Sequence, residues 1–513
     1  MHWLTLPEPS KTISPAFHDK MTAKLWLAEQ LDARPLQTLA AIRLQIEAID
    51  GAIMPPTQAI ELLSILRTAA IPLLADVAPR FIRKPLPLPE DDQRAFEITQ
   101  LIWLRLGIAF LRRAPHFAPA DKCLHLHRAA TALRLAQYAH FQASHELPPL
   151  IDRLLFSVLA QAERHGLLRQ PVSDPDFPQL GTAHIAGILS WAYLLRLSDP
   201  YHMSTGQLTV ANRALRRWRE LPGFQVIPDH SPKAQLLDLS PLFGSPLPEG
   251  IPRWLEVRNV SRKIRQRIDS LNAGETPEAL KLGSELSSQA CIAVLEQINR
   301  ALHNPFKTEP EESGHIELVF GGADAFALIR GELLSPPPGQ TVQHTPLSYQ
   351  RMAMFGHERD GDGQVSSVDR KLVIPGEQWT LQAGRASRVN GENLGRHLSN
   401  SLIAASMQGK IRLGILQALQ TGPGGHLSAR LKWFAEEVEA GKLKRSPQHD
   451  PRQPPIPVFI LRDEKTLSAL LPISAGARLG VGLVLESTSV EHLLPTSVIE
   501  RGVDFIRYAC QAA

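Results

Sequence analysis

The sequence predicts an α+β protein: an all-helical region over 1–305, followed by an antiparallel β-barrel with a long loop insertion over 306–513. Three observations carry this. Before residue 305 apolar residues recur every three or four positions, as on one face of a helix; after it they alternate along short runs, as on a strand. Proline is well above its usual share of ~5%, at 42 of 513 residues, which favours many short elements joined by ordered turns. The rest of the composition, 43% hydrophobic and 21% charged, is that of a folded chain long enough for roughly two to four cores.

In chain order, Ile60, Leu63, Ile65, Leu66, Ile71 and Leu74 place a helix over 56–74. The alternating prolines of Lys84-Pro85-Leu86-Pro87-Leu88-Pro89 forbid a helix and favour an extended connector, so the helical region has a subdomain break near 85–90. Helices are expected over 94–113, 122–145, 149–165, 182–197, 210–220, 253–271 and 276–303. Gly166 is placed as a C-terminal stop, and Thr276-Pro277-Glu278 as an N-cap with proline in the first turn. No fixed-period repeat marks a helical solenoid.

Beyond residue 305, strands are expected over 315–320, 410–416, 427–434, 457–462 and 480–486. Thr421-Gly422-Pro423-Gly424-Gly425 joins two of them as a hairpin with a wide loop. Ser335-Pro336-Pro337-Pro338-Gly339 and the polar run 357–367 read as loops. Trp433, ending its strand, is expected in the barrel core.

Charge and cysteine usage narrow the function classes. Fifty-five basic and 51 acidic residues leave a net charge of +4, too little to indicate a nucleic-acid partner. Cys123, Cys291 and Cys510 are odd in number and far apart, which suits a reducing cytoplasm. The amino terminus lacks the pattern of a signal peptide, and the longest apolar runs fall well short of the ~18 residues that span a bilayer, so no membrane insertion is expected.

No motif for catalysis emerges. There is no P-loop pattern and no helix with paired zinc-binding histidines. Gly480-Val481-Gly482 reads as strand glycines rather than part of a dinucleotide fingerprint. In Cys123-Leu124-His125-Leu126-His127, only Cys123 and His127 would share a helix face, and no second ligand pair lies nearby; a partly exposed helix start is the simpler reading. Asp360-Gly361-Asp362-Gly363 lacks the later ligands of a calcium loop. The basic run Arg253, Arg258, Arg262, Lys263, Arg265 and Arg267 reads as the solvated face of an amphipathic helix. Neither an enzyme nor a cofactor or metal site is expected.

Three passages carry a family resemblance. They are Trp191-Ala192-Tyr193 through Asp199-Pro200-Tyr201-His202-Met203; Ile411-Arg412-Leu413-Gly414-Ile415-Leu416 with Leu431-Lys432-Trp433; and the closing segment from Leu493-Leu494 to Arg501-Gly502-Val503-Asp504-Phe505-Ile506-Arg507-Tyr508. With Lys84-Pro85-Leu86-Pro87-Leu88, these resemble a group of bacterial proteins in which a long helical region precedes a divergent PilZ-like barrel. The resemblance implies a non-enzymatic signalling protein, a nucleotide-binding receptor or effector for cyclic di-GMP that acts on an unidentified protein partner. A second class stays open: a ligand-independent adaptor using a degenerate barrel.

In that family two arginines three residues apart grip the phosphates, and a short Asp/Asn-Ser-Gly turn packs on the bases. The stretch 299–307, ahead of the first strand, holds one arginine, Arg300. Arg385-Ala386-Ser387-Arg388 offers substitute guanidiniums, although an exposed polar loop is the simpler reading of it. Asn390-Gly391-Glu392-Asn393-Leu394-Gly395 keeps the amide and the glycine but sets Glu392 where serine is expected. The resemblance therefore points to Arg385, Arg388, Asn390 and Gly395 as ligand-binding residues. Ser399-Asn400-Ser401-Leu402-Ile403-Ala404 is a weaker second match, and Arg351 and Arg359 are weaker still.

Overall fold

The computed structural model describes residues 6–9, 14–30, 33–229, 231, 234–243, 247, 249–304, 313–334, 374–382, 384–389, 391, 394–407, 409–444, 455–463, 466–487 and 489–512. The runs expected as loops at 335–339 and 357–367 lie outside them, as do Arg351 and Arg359. The chain forms two compact units. One comprises Met1–Glu309 with Gly395–Leu398 and Leu419–Ser428; the other comprises Pro310–Leu394, Ser399–Ala418 and Ala429–Ala513.

The described residues of the first unit form ten α-helices: α1 (Lys20–Glu29), α2 (Pro35–Gly51), α3 (Pro56–Val77), α4 (Glu90–Arg113), α5 (Pro119–Ala143), α6 (Pro149–Arg164), α7 (Ile185–Leu197), α8 (Thr205–Trp218), α9 (Arg258–Asn272) and α10 (Ser288–His303). Proline opens α2, α3, α5 and α6, where its missing N–H would have had no intrahelical partner. Asp19 caps α1 by accepting the N–H groups of Met21 and Thr22 at 2.8 and 2.9 Å. Gly107 lets α4 approach α5: a β-carbon there would fall 2.6 Å from Leu133 Cγ. α7 is buried all round except at Arg196, as its continuous apolar sequence requires. Two short ladders, β1 (Val172–Ser173) with β2 (Thr182–Ala183), and β3 (Gly223–Gln225) and β4 (Leu236–Asp238) flanking β5 (Trp254–Glu256), join the helices.

Three expected helices start late: Thr182–Ala183 form β2, so α7 begins at Ile185, and the other two start five or more residues late. Trp254–Glu256 is taken by the central strand of a three-stranded sheet, so α9 begins at Arg258 and turns its basic residues outward over buried Val260 and Ile264. Thr276 does cap a turn, its hydroxyl accepting the Ala279 N–H at 3.3 Å. Lys281 and Gly283, at φ 62° and 104°, end that turn, and α10 starts afresh from the Ser287 cap. The Arg213 guanidinium occupies the place of a Gly283 side chain, 1.4 Å from where a β-carbon would sit.

The second unit closes two six-stranded antiparallel barrels. The first is built from β6 (Gly314–Phe320), β7 (Glu377–Gln382), β8 (Arg385–Arg388), β9 (Ser401–Met407), β10 (Lys410–Thr421) and β11 (Leu427–Trp433), in the order β10-β11-β8-β7-β6-β9. The second uses β12 (Glu437–Leu443), β13 (Ile456–Arg462), β14 (Leu467–Pro472), β15 (Leu483–Glu486), β16 (His492–Arg501) and β17 (Phe505–Ala512), in the order β12-β13-β14-β17-β16-β15. The strands legible in the sequence fall in both: three in the first barrel, two in the second. Gly480 precedes β15 at φ 75°, so Gly480-Val481-Gly482 belongs to a turn and not to a strand.

Helix α11 (Gly322–Arg330) and both barrels share an apolar cluster including Phe326, Leu402, Leu413, Phe434, Phe459 and Phe505. The β16–β17 turn fixes this joint. Gly502 allows close approach, since a β-carbon would lie 2.4 Å from Asn400 O, and the Val503 N–H donates to that carbonyl at 2.9 Å.

Trp433 is half-buried rather than interior; Phe434 turns into the shared core and Trp379 is the indole enclosed by the first barrel. Trp433 instead lies against Gly414, whose missing side chain leaves room for it: a β-carbon would stand 2.7 Å from Trp433 Cε3 and 2.6 Å from the Lys432 carbonyl. Gly414→Val is therefore expected to destabilise the protein by about 1–3 kcal/mol, as overpacking does. Trp433→Ala should cost less than the ~3–5 kcal/mol of a fully buried aromatic. Urea midpoints of the two variants check both; a Gly414→Val midpoint equal to the parent's would mean the strand pair separates freely.

Candidate ligand site

The residues singled out in the sequence lie in different settings. Arg385-Ala386-Ser387-Arg388 is a strand, β8, and not a polar loop; Leu381 pairs with Ala386 and Gln382 with Arg385. Side chains three apart on a strand face opposite ways. Arg385 is exposed, whereas Arg388 is 5% exposed inside the barrel. There the Arg388 guanidinium pairs with the Glu377 carboxylate and lies 5.3 Å above the Trp379 ring. A phosphate reaching Arg388 would compete with an internal carboxylate.

Asn390 and Glu392 lie outside the described residues. Gly395 is exposed and belongs to the 395–398 segment of the helical unit, where His397 and Leu86 exchange two backbone hydrogen bonds at 2.8 and 2.9 Å. The proline-rich connector thus pairs with the segment that carries Gly395. The hairpin tip after β10 behaves alike: Thr421 donates to Ser144 O and accepts from the Glu146 N–H, both at 2.9 Å. In the weaker match, Leu402, Ile403 and Ala404 are buried in β9 as barrel wall.

The helical unit holds a cationic cluster that sequence spacing did not reveal. Several enclosed arginines there have acid partners: Arg67 with Asp174 and Asp176, Arg113 with Asp50, Arg196 with Asp152. Arg134, 2% exposed, forms no ion pair among the described residues. Its guanidinium lies 3.3 Å from the centre of the Trp191 ring and 4.8 Å from that of Tyr138, and donates to Asn212 Oδ1, which also accepts the Trp191 N–H at 3.1 Å. Burial pulls Arg134 down to about 9, opposed by Tyr138 and reinforced by Arg216. Arg83 likewise bonds neutral groups, Ser144 Oγ and the Pro200 carbonyl, and burial lowers it to about 10.

One of the passages behind the family resemblance, Trp191 through Met203, thereby acquires physical roles. Trp191 stacks on Arg134, Pro200 anchors Arg83, and the Tyr201 hydroxyl donates to His145 O at 2.9 Å. Arg134, Arg83 and Arg213 all bear on Tyr138, which makes this part of the unit rich in positive charge. These residues are distant in sequence, and only their aromatic neighbours stood out in it.

The described residues contain no group of three His, Cys, Asp or Glu side chains that could hold a metal. Cys123, His125 and His127 are buried, not partly exposed, because α5 runs through the centre of the helical unit. No described helix is long and apolar enough to cross a membrane.

The architecture is thus a helical unit and a two-barrel unit within an α+β chain. Residues 21–229, from α1 to just beyond β3, match a family model described as the N-terminal domain of the cyclic-di-GMP receptor FimW. No curated protein and no solved structure matches the chain.

Proposed function

We propose that this protein is a non-enzymatic cytoplasmic receptor or effector for cyclic di-GMP that passes ligand occupancy to a protein partner. The match of its helices to the N-terminal domain of such a receptor carries the reading. The closed antiparallel barrels that follow are consistent with a divergent PilZ-type ligand domain, and that assignment is part of the proposal. Binding acts as a population shift between two arrangements of the chain, the ligand favouring the one it binds more tightly.

In this reading Arg385, Arg388, Asn390 and Gly395 mark the ligand-binding region. Arg385 meets a phosphate from solvent, while Arg388, held by Glu377, shapes the strand that presents it. Arg385→Ala is expected to weaken cyclic di-GMP about ten- to a hundredfold, the worth of one charge-assisted hydrogen bond. Glu392→Ser should tighten it by removing a like charge. Arg388→Ala should instead lower the melting temperature, because it removes the Arg388–Glu377 ion pair from the barrel interior. Calorimetric affinities with thermal melts check all three; unchanged affinity in Arg385→Ala and Glu392→Ser would move the site elsewhere.

One observation favours the adaptor as a second reading: the Arg388 guanidinium already has a carboxylate. If neither the parent nor Glu392→Ser binds at high micromolar ligand, the adaptor replaces the receptor.

A further inference from the structure

Between the two barrels, beside α11, lies a cavity of about 510 Å³, within the ~300–1,000 Å³ typical of small-molecule sites. Leu334, Leu402, Phe459, Leu471 and Phe505 give it an apolar lining. Its charged lining residues among those described are Asp324, in the first turn of α11, and Asp504, in the β16–β17 turn. No described Lys, Arg or His lines it. The Asp504 carboxylate accepts the Leu402 N–H at 3.0 and 3.3 Å through its two oxygens, which fixes it at the joint between the barrels.

We propose that this cavity binds a small apolar amine: an aliphatic body against the leucines and phenylalanines, and one ammonium group on Asp324 and Asp504. The argument is charge complementarity. Two carboxyl groups in an apolar pocket repel a phosphodiester, so this is not the site of a cyclic dinucleotide, and the inference stands apart from the receptor reading. An ammonium group supplies the counter-charge that the described lining lacks, in surroundings where such a pair is weakly screened. Burial raises both carboxyls, Asp504 to about 6, with backbone hydrogen bonds from the Leu402 N–H opposing the shift at Asp504.

The test uses the full chain at pH 7.5 with three probes of equal length, n-hexylammonium, n-hexanol and n-hexanoate, followed by NMR titration. Hexylammonium is expected to saturate in the millimolar range and to bind roughly tenfold or more tightly than hexanoate, a gap typical of one charged contact. Asp324→Asn and Asp504→Asn should each reduce its advantage over hexanol. The comparison within the parent protein needs no variant, and Asp324→Asn serves if Asp504→Asn fails to fold. Hexanoate binding as well as hexylammonium, no saturation by hexylammonium below about 10 mM, or an unchanged preference in folded variants would each overturn the proposal.

Discussion

Acidification from pH 6.5 to 4 should destabilise the helical unit steeply. Three histidines of α5 are buried and held neutral. Burial lowers His127 to about 4, with Asp174 opposing and Arg67 reinforcing the shift. Burial lowers His125 to about 4, with Arg128 reinforcing, and His140 to about 3, with His145 adding to it. His140 stands edge-on to Phe96 at 5.1 Å, and neither of its ring nitrogens has a hydrogen-bond partner among the described residues. Above pH 6.5 the folded and unfolded chains both hold these rings neutral. Below it the unfolded chain takes up protons that the folded chain refuses, so stability falls until the folded values are reached. Each ring contributes up to about 1.4 kcal/mol per pH unit within that window. Urea melts at pH 7.0, 5.5 and 4.5 should show the decline, and His127→Leu with His140→Phe should flatten it. A stability that stays constant across the window would mean these rings are protonated or solvated in the folded protein.

Arg67→Ala should be the most destabilising single substitution considered for the fold. Arg67 is fully buried on α3; it binds Asp174, reaches Asp176 at 2.7 Å and lies 5.0 Å from the Phe177 ring centre. It thereby ties α3 to the turn after β1. Burial alone would raise Asp174, but hydrogen bonding and charge from Arg67, aided by Arg128, hold it below its ordinary value. Truncation leaves a carboxylate that is 1% exposed with Arg128 at 3.7 Å as its remaining cation. The expected cost is about 3–5 kcal/mol, the penalty of breaking a buried pair from one side. A double variant, Arg67→Met with Asp174→Leu, should recover part of it. Equal unfolding midpoints for Arg67→Ala and the parent would place this cluster in contact with water.

The fold was legible where one periodicity ran long. Helices α3 through α7 follow from apolar spacing and proline starts, and the switch to alternation near residue 305 marks the barrels. β7, β8, β9, β12, β14, β16 and β17 were not legible, because short strands in a closed barrel take their identity from their neighbours. β16 carries exposed Val498 and Ile499 and a Pro495 beside a register shift, which hide its alternation. The site was less legible still. Arg385 and Arg388 are alike in sequence, yet strand alternation puts one in solvent and the other on Glu377. The Arg134–Trp191–Asn212 stack joins α5, α7 and α8, and no local spacing could announce it.

The most direct test is calorimetric titration of the full chain with cyclic di-GMP, using cyclic di-AMP as the control for base recognition. The receptor account predicts saturable binding of cyclic di-GMP that Arg385→Ala weakens at least tenfold, and weaker binding of cyclic di-AMP. No heat of binding from cyclic di-GMP at high micromolar concentration, in both the parent and Glu392→Ser, would contradict it.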